Sequence, residues 1–292
     1  MNQKQLRAIG AILLATLFWG MTFAFIKKAV SSLSPYNFLF WRFGIASLIL
    51  FLFSFKTIKR ESKTATYRAG FFLGLFLLGT VLFQTIGLQT TPASTASFIT
   101  GLSVILVPLF SSCIHQTLPK LKIIIAALIA LAGIALISLQ TGYSISSGEI
   151  WILLCAFCFA LFIYLSGKYS KGHHAVGLTM AQCLTIFLIS GVLGLITKTL
   201  SIPNGIETWV CILFCAIFAS IFAFLLQLHY QKYISSTTTA IIFSCEPIFA
   251  TLTAMVLLSE KLNNRFYFGA GLIFLAIIVS ELNLKKSTIP QD

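Results

Sequence analysis

The chain has 292 residues, of which 58% are hydrophobic and only 9% charged, with a formal net charge of +13. Soluble domains carry roughly 25% charged residues, so these charges cannot cover a water-facing surface: a soluble domain is excluded, and lipid must be the main solvent. The positive balance is not that of a nucleic-acid binder, because no basic stretch is interleaved with exposed aromatics and nearly all 28 Phe lie inside apolar runs.

A spanning helix needs about 20 apolar residues at a rise of 1.5 Å each. Ten segments answer to that: 8–26, 37–55, 69–88, 95–113, 122–140, 149–167, 175–197, 208–228, 235–258 and 266–283. The runs are continuous and do not alternate, which selects helices over barrel strands. The gaps between them are too short for an extramembrane domain.

The first segment follows Lys4 and Arg7, as a signal peptide would. Its apolar run is longer than the roughly 7–15 residues of a signal core, and Lys27-Lys28 follows it in place of a small-residue cleavage site. It is read as a retained helix. Trp19 lies near its centre, away from the interface where Trp gathers. It either fills the core or presents a flat wall to a substrate, and Gly20 beside it leaves room for the wall.

Arg42 lies near the outer end of the second segment. Its stem can snorkel to the interface, or its guanidinium can form a salt bridge or bind an anion. The third segment carries a stripe of Gly70, Gly74 and Gly79, and the fifth carries Ala126, Ala130 and Gly133; both read as close helix packing. Gln84 in the third and Gln227 in the eighth offer donors and an acceptor without the cost of charge. They suit substrate contact or interhelical hydrogen bonding.

Pro108 and Pro247 stand near the middle of the fourth and ninth segments. A proline removes one backbone hydrogen bond and clashes with the preceding turn. The freed carbonyls are tolerated at that depth only against protein or a water-filled cavity. The pair reads as two kinked helices lining a pathway, or as kinks that only help packing. Glu246 directly precedes Pro247, and no other acidic residue lies deep in a span. An ionised carboxylate there costs about 2.5–3.5 kcal/mol. Its readings are a proton-coupling group, a site for a substrate ammonium, or a carboxyl that braces the kink.

The seven Cys all sit in apolar segments and read as small packing residues. The Cys155/Cys158 pair lacks further ligands at matching depth for a zinc site, and the loop pair His173/His174 reads as solvated. No metal and no cofactor are expected. There is no paired intramembrane carboxylate, HExxH, GxSxG or P-loop. The reading is therefore no enzyme, and any transport is driven by a gradient, an exchange or a concentration difference.

With the N-terminus inside, the cytoplasmic segments hold fourteen basic residues: Lys4, Arg7, Lys56, Lys59, Arg60, Lys63, Arg68, Lys120, Lys122, Lys168, Lys171, Lys232, Lys285 and Lys286. The outer segments hold five: Lys27, Lys28, Lys198, Lys261 and Arg265. That split sets both termini in the cytoplasm.

The chain also repeats itself. ILLATLFWGMTFAFI (12–26) lies over ILLCAFCFALFIYLS (152–166) at an offset of 140, and Arg42 meets Gln182 at the same offset. Gln84 meets Gln227 at 143, and Pro108 meets Pro247 at 139. Each half, 8–140 and 149–283, holds five spans. Five is odd, so the halves have opposite orientation. That is the inverted-repeat plan of secondary transporters, whose substrate site lies near the midplane.

Four stretches carry a family resemblance. FWGMTFAFIKKAV (18–30) resembles the Trp-Gly opening of the EamA-type family of the drug/metabolite transporter superfamily, and SPYNFLFWRFGIASL (34–48) resembles its second helix. GLQTTPASTASFITGLSVILVPLF (87–110) resembles its fourth. LQLHYQKYISSTTTAIIFSCEPIFATLTAMVLLSEKL (226–262) resembles its ninth, with Glu-Pro and a terminal Glu. The resemblance implies a ten-helix inner-membrane permease with a central cavity. Carried over residue by residue, it makes Trp19, Gln84, Ser103, Tyr164, Gln227 and Ser244 cavity candidates. The first half departs from the second: Val107 precedes Pro108 where Glu246 precedes Pro247, and no acid matches Glu260.

The expectation is an all-α integral membrane protein of ten transmembrane helices in two inverted five-helix repeats, a monomer or homodimer of the inner membrane. Its partners are the bilayer and a small-molecule substrate, with no nucleic acid. It moves a small polar or amphipathic metabolite, an amino acid or derivative or a drug-like compound, by alternating access. The alternatives are an exchanger of an anionic or nucleotide-like metabolite, and a membrane scaffold or lipid-handling protein.

Overall fold

The computed structural model describes residues 3–61, 64–116, 118, 121–138 and 146–281, and every regular element among them is helical. The first helix, α1 (Gln3–Val30), is about 42 Å long at 1.5 Å per residue. Then come α2 (Pro35–Glu61), α3 (Thr64–Gly87), α4 (Ala93–Thr100), α5 (Ser103–Ile114), α6 (Leu121–Ser138), α7 (Ser147–Tyr169) and α8 (Ala175–Ile196). After them α9 (Ile206–Phe214) runs unbroken through a π-helical segment (Cys215–Ala223) into α10 (Phe224–Tyr230). Last are α11 (Ser236–Phe243), α12 (Glu246–Leu258) and α13 (Asn264–Glu281).

Local signals explain several helix starts. Pro35 opens α2, where its missing N–H would have no partner anyway. Ser146 and Glu149 form a reciprocal capping box at α7: Ser146 Oγ accepts from the Glu149 amide at 3.2 Å and Glu149 Oε2 from the Ser146 amide at 2.9 Å.

Eight spans among the described residues are long and apolar enough to cross a membrane, and Ile124–Leu136 within α6 is a shorter apolar stretch. Large apolar side chains such as Phe53, Val256 and Phe268 point outward, as a lipid solvent requires. Of the residues that weigh in the charge split, Lys63, Lys120, Lys285 and Lys286 lie outside the described residues, as do the side chains of Lys56, Lys59, Arg60 and Lys122. The ends of two expected spans, 139–140 and 282–283, also lie outside them.

The expected fourth and ninth spans are each two helices. The first break falls at Gly101–Leu102, ahead of Pro108, which sits inside α5. The second falls at Ser244–Cys245, and Pro247 lies in the first turn of α12. At both breaks ψ is flattened to between −13° and −20°, close to 3₁₀ values. The first break packs against the start of α12: a Cβ on Gly101 would lie 3.4 Å from Pro247 Cγ.

Small residues set the close approaches. A Cβ on Gly70 would come within 2.5 Å of Ala181 Cβ, and one on Gly74 within 2.9 Å of Thr185 Cβ, so the α3 stripe receives α8. Gly133 of α6 meets the Gly269 carbonyl of α13 in the same way. Side chains then stitch loops to helices. Lys27 Nζ donates to the carbonyls of Leu88 (3.1 Å) and Thr91 (2.8 Å). The Glu260 carboxylate accepts from the amides of Ala93 (2.7 Å) and Ser94 (3.2 Å) and from Ser94 Oγ (2.6 Å), capping α4 with a negative charge.

Candidate functional site

Seven helices converge on one small internal cavity of about 30 Å³. That is room for a water or two. α1 contributes Trp19 and Thr22, α2 contributes Arg42, and α3 contributes Leu77, Thr80, Val81 and Gln84. Thr100 closes α4, and Phe159, Phe224 and Glu246 enter from α7, α10 and α12.

The α3 set follows from helix geometry: positions i, i+3, i+4 and i+7 lie on one face. The three threonines spend their protons locally. Thr22 donates to the Trp19 carbonyl (2.6 Å), Thr80 to Phe76 (2.9 Å) and Thr100 to Ala96 (2.9 Å). Each hydroxyl therefore keeps its oxygen free to accept from whatever fills the cavity. Gln84 lines the cavity, and its side chain makes no hydrogen bond to any described residue.

Trp19 is packed between rings. Phe224 and Phe243 lie 5.1 Å away by centroid and Phe159 lies 6.1 Å away. Its Nε1 donates to the Ala219 carbonyl at 3.0 Å, inside the π-helical segment. The space beside Gly20 is not open to a substrate. A Cβ there would fall 2.6 Å from Phe249 Cβ and 2.8 Å from the Glu246 carbonyl, so α12 fills the gap that Gly20 leaves.

Arg42 does not snorkel. Its side chain is only 2% exposed, and its Nε donates to Ser220 Oγ at 2.8 Å, again in the π-helical segment. Its Nη1 is buried with no partner among the described residues. Glu246 is 5% exposed. Its carboxyl accepts no hydrogen bond from any described group, and no ion pair within 4.0 Å joins it to Arg42, although both line the same cavity. It is not spent on capping α12 either: the amides of Ile248 and Phe249 turn back to the Cys245 carbonyl.

Trp19, Gln84, Arg42 and Glu246 are thus brought together. Ser103, Tyr164, Gln227 and Ser244 do not line this cavity. Ser103 is buried among packed helices. Tyr164 Oη pairs with His115 Nε2 at 3.4 Å in an exposed position. Gln227 Nε2 donates to Gln231 Oε1 (3.1 Å), whose Nε2 in turn donates to the Ile163 carbonyl (2.9 Å). Ser244 donates to the Ile241 carbonyl at 2.5 Å, at the second helix break. Pro108 and Pro247 lie outside the lining too, although Pro247 follows Glu246 directly. The residues that sequence reasoning missed are Ser220 and the three threonines. Ser220 stood out in one respect only, as a lone hydroxyl deep in an apolar segment.

Comparisons with known proteins agree with the architecture. The model of the EamA-like transporter family matches residues 6–139 and again residues 146–282. An uncharacterized transporter of Archaeoglobus fulgidus is 34% identical over 96% of this chain and 88% of its own. The uncharacterized transporter YyaM of Bacillus subtilis is 25% identical over 91% of this chain and 90% of its own. A solved crystal structure superposes with a TM-score of 0.70 at 19% identity, covering 94% of this chain and 96% of that one, a likeness of fold.

Proposed function

From the premise that the chain belongs to the EamA-like transporter family, and so is a multi-pass membrane transporter, we propose that it is a secondary-active permease for a small polar or amphipathic metabolite, an amino acid or derivative foremost. In this reading ten spans form two inverted five-helix repeats, 8–140 and 149–283, with both termini in the cytoplasm of an inner-membrane protein. The double match of the family model and the recurring helix breaks at Gly101 and Ser244 support the repeat. Alternating access would expose the central cavity to each side in turn.

One observation carries the reading. A buried arginine and a buried glutamate line a shared cavity without pairing with each other. Charges at that depth are costly and mark substrate or ion pathways. The test is a metabolite-resolved uptake and efflux screen in proteoliposomes. Transport of at least one solute faster than in empty vesicles is expected, and lost on Glu246→Gln or Arg42→Gln. No excess flux across amino acids, nucleosides and S-adenosyl compounds would overturn it. The small cavity volume favours a second reading, a membrane scaffold with a filled interior, and the same null result would leave that one standing.

A further inference from the structure

We propose that the central cavity is built for a zwitterion, with the carboxylate of the bound molecule on Arg42 and its ammonium on Glu246. This rests on the transport reading in that the cavity must widen to admit a solute.

Buried charges are normally paired or hydrogen-bonded. Arg42 is only partly satisfied: Ser220 takes its Nε and the Phe43 ring lies 4.9 Å from its Cζ, while Nη1 has no partner among the described residues. The unpartnered Nη1 can donate to a carboxylate, the group a guanidinium recognises best. Glu246 holds a buried carboxyl with no described hydrogen-bond partner. The two could have neutralised one another, yet no ion pair within 4.0 Å forms. A ligand with a single charged group would engage only one of the two and leave the other buried without a partner. A molecule carrying both charges satisfies both. The same lining includes the rings of Trp19 and Phe159 and the neutral polar residues Gln84 and Thr80, suited to the rest of such a molecule.

The site can be tested without knowing the natural substrate. The purified protein in detergent is titrated with alanine, γ-aminobutyrate and phenylalanine, and with their single-charge analogues: ethylamine and propionate, propylamine and butyrate, phenethylamine and 3-phenylpropionate. Binding is read as the rise in unfolding temperature, which follows ligand occupancy. At least one zwitterion should bind about tenfold or more tightly than either of its single-charge analogues, a difference of about 1.4 kcal/mol.

Glu246→Gln should abolish the preference over the carboxylate analogue alone. Arg42→Gln should abolish the preference over the amine alone. Arg42→Lys and Glu246→Asp keep the charges and should retain more of each preference than the Gln variants do. A single-charge analogue that matches its zwitterion, or no stabilisation by any of the three zwitterions, would overturn the inference. Where a neutral variant fails to fold, the wild-type comparison decides by itself. Flux of some solute without a zwitterion preference would remove this inference and leave transport standing. Zwitterion binding without flux would do the reverse.

Discussion

α3 and the run from α9 through the π-helical segment to α10 border the same cavity and serve it in different ways. α3 is a regular helix that lines the cavity with its own Leu77, Thr80, Val81 and Gln84. The π-helical run contributes only Phe224 directly. Its larger part is indirect: the Ala219 carbonyl holds the Trp19 indole and Ser220 Oγ holds the Arg42 guanidinium. A π-turn closes its hydrogen-bonded ring over five residues in place of four, and such turns recur at functional sites. One wall is made of side chains that can be exchanged one at a time. The other fixes the posture of side chains that belong to other helices.

Substitutions at the two walls should separate accordingly. The largest effect is expected where α3 meets α8. Gly70→Val forces a side chain into a gap that Ala181 already fills at 2.5 Å from a built Cβ. It should cost about 3 kcal/mol of stability, read by denaturant unfolding in bicelles. An unchanged midpoint would show that the two helices can part there at no cost.

Next comes Ser220→Ala, which strips a buried charged donor of its acceptor and should cost about 2 kcal/mol. In an Arg42→Met background the same change should cost far less, and additive costs would deny that Ser220 acts through Arg42. Trp19→Phe keeps the ring contacts and removes the bond to Ala219, so about 1 kcal/mol is expected, with a measurable fall in flux. Thr80→Val, on the regular wall, should change stability by about 0.6 kcal/mol or less. A cost at Thr80 equal to that at Ser220 would erase the distinction between the walls.

The membrane-spanning helical character was legible because lipid leaves no alternative to continuous apolar runs. The polar members of the cavity were legible for the same reason: Arg42, Gln84 and Glu246 are each an unusual residue in an apolar run, and Trp19 is far from any interface. Ser103, Tyr164, Gln227 and Ser244 were harder, because membership of a helix does not fix which way it faces. The breaks at Gly101–Leu102 and Ser244–Cys245 are 3₁₀-like, and a 3₁₀ residue turns the chain by about 120° where an α residue turns it by about 100°. A few such residues are enough to change which side chains reach the centre. The π-helical segment left no trace, since Cys215–Ala223 contains neither Pro nor Gly and has the composition of an ordinary span.

Cys155 is fully buried, and its Sγ lies 4.0 Å from Thr100 Oγ1 on the cavity wall. The thiol therefore serves as a native timer of opening. A membrane-permeant alkylating reagent reaches it only during excursions in which the wall parts, so its labelling rate is the intrinsic thiol rate multiplied by the fraction of time spent open. The same thiol labelled after the protein is unfolded in denaturing detergent supplies the unprotected reference. The ratio of the two rates converts a static packing detail into an equilibrium constant for the parting of that wall, the motion that alternating access would require, measured on an unmutated chain.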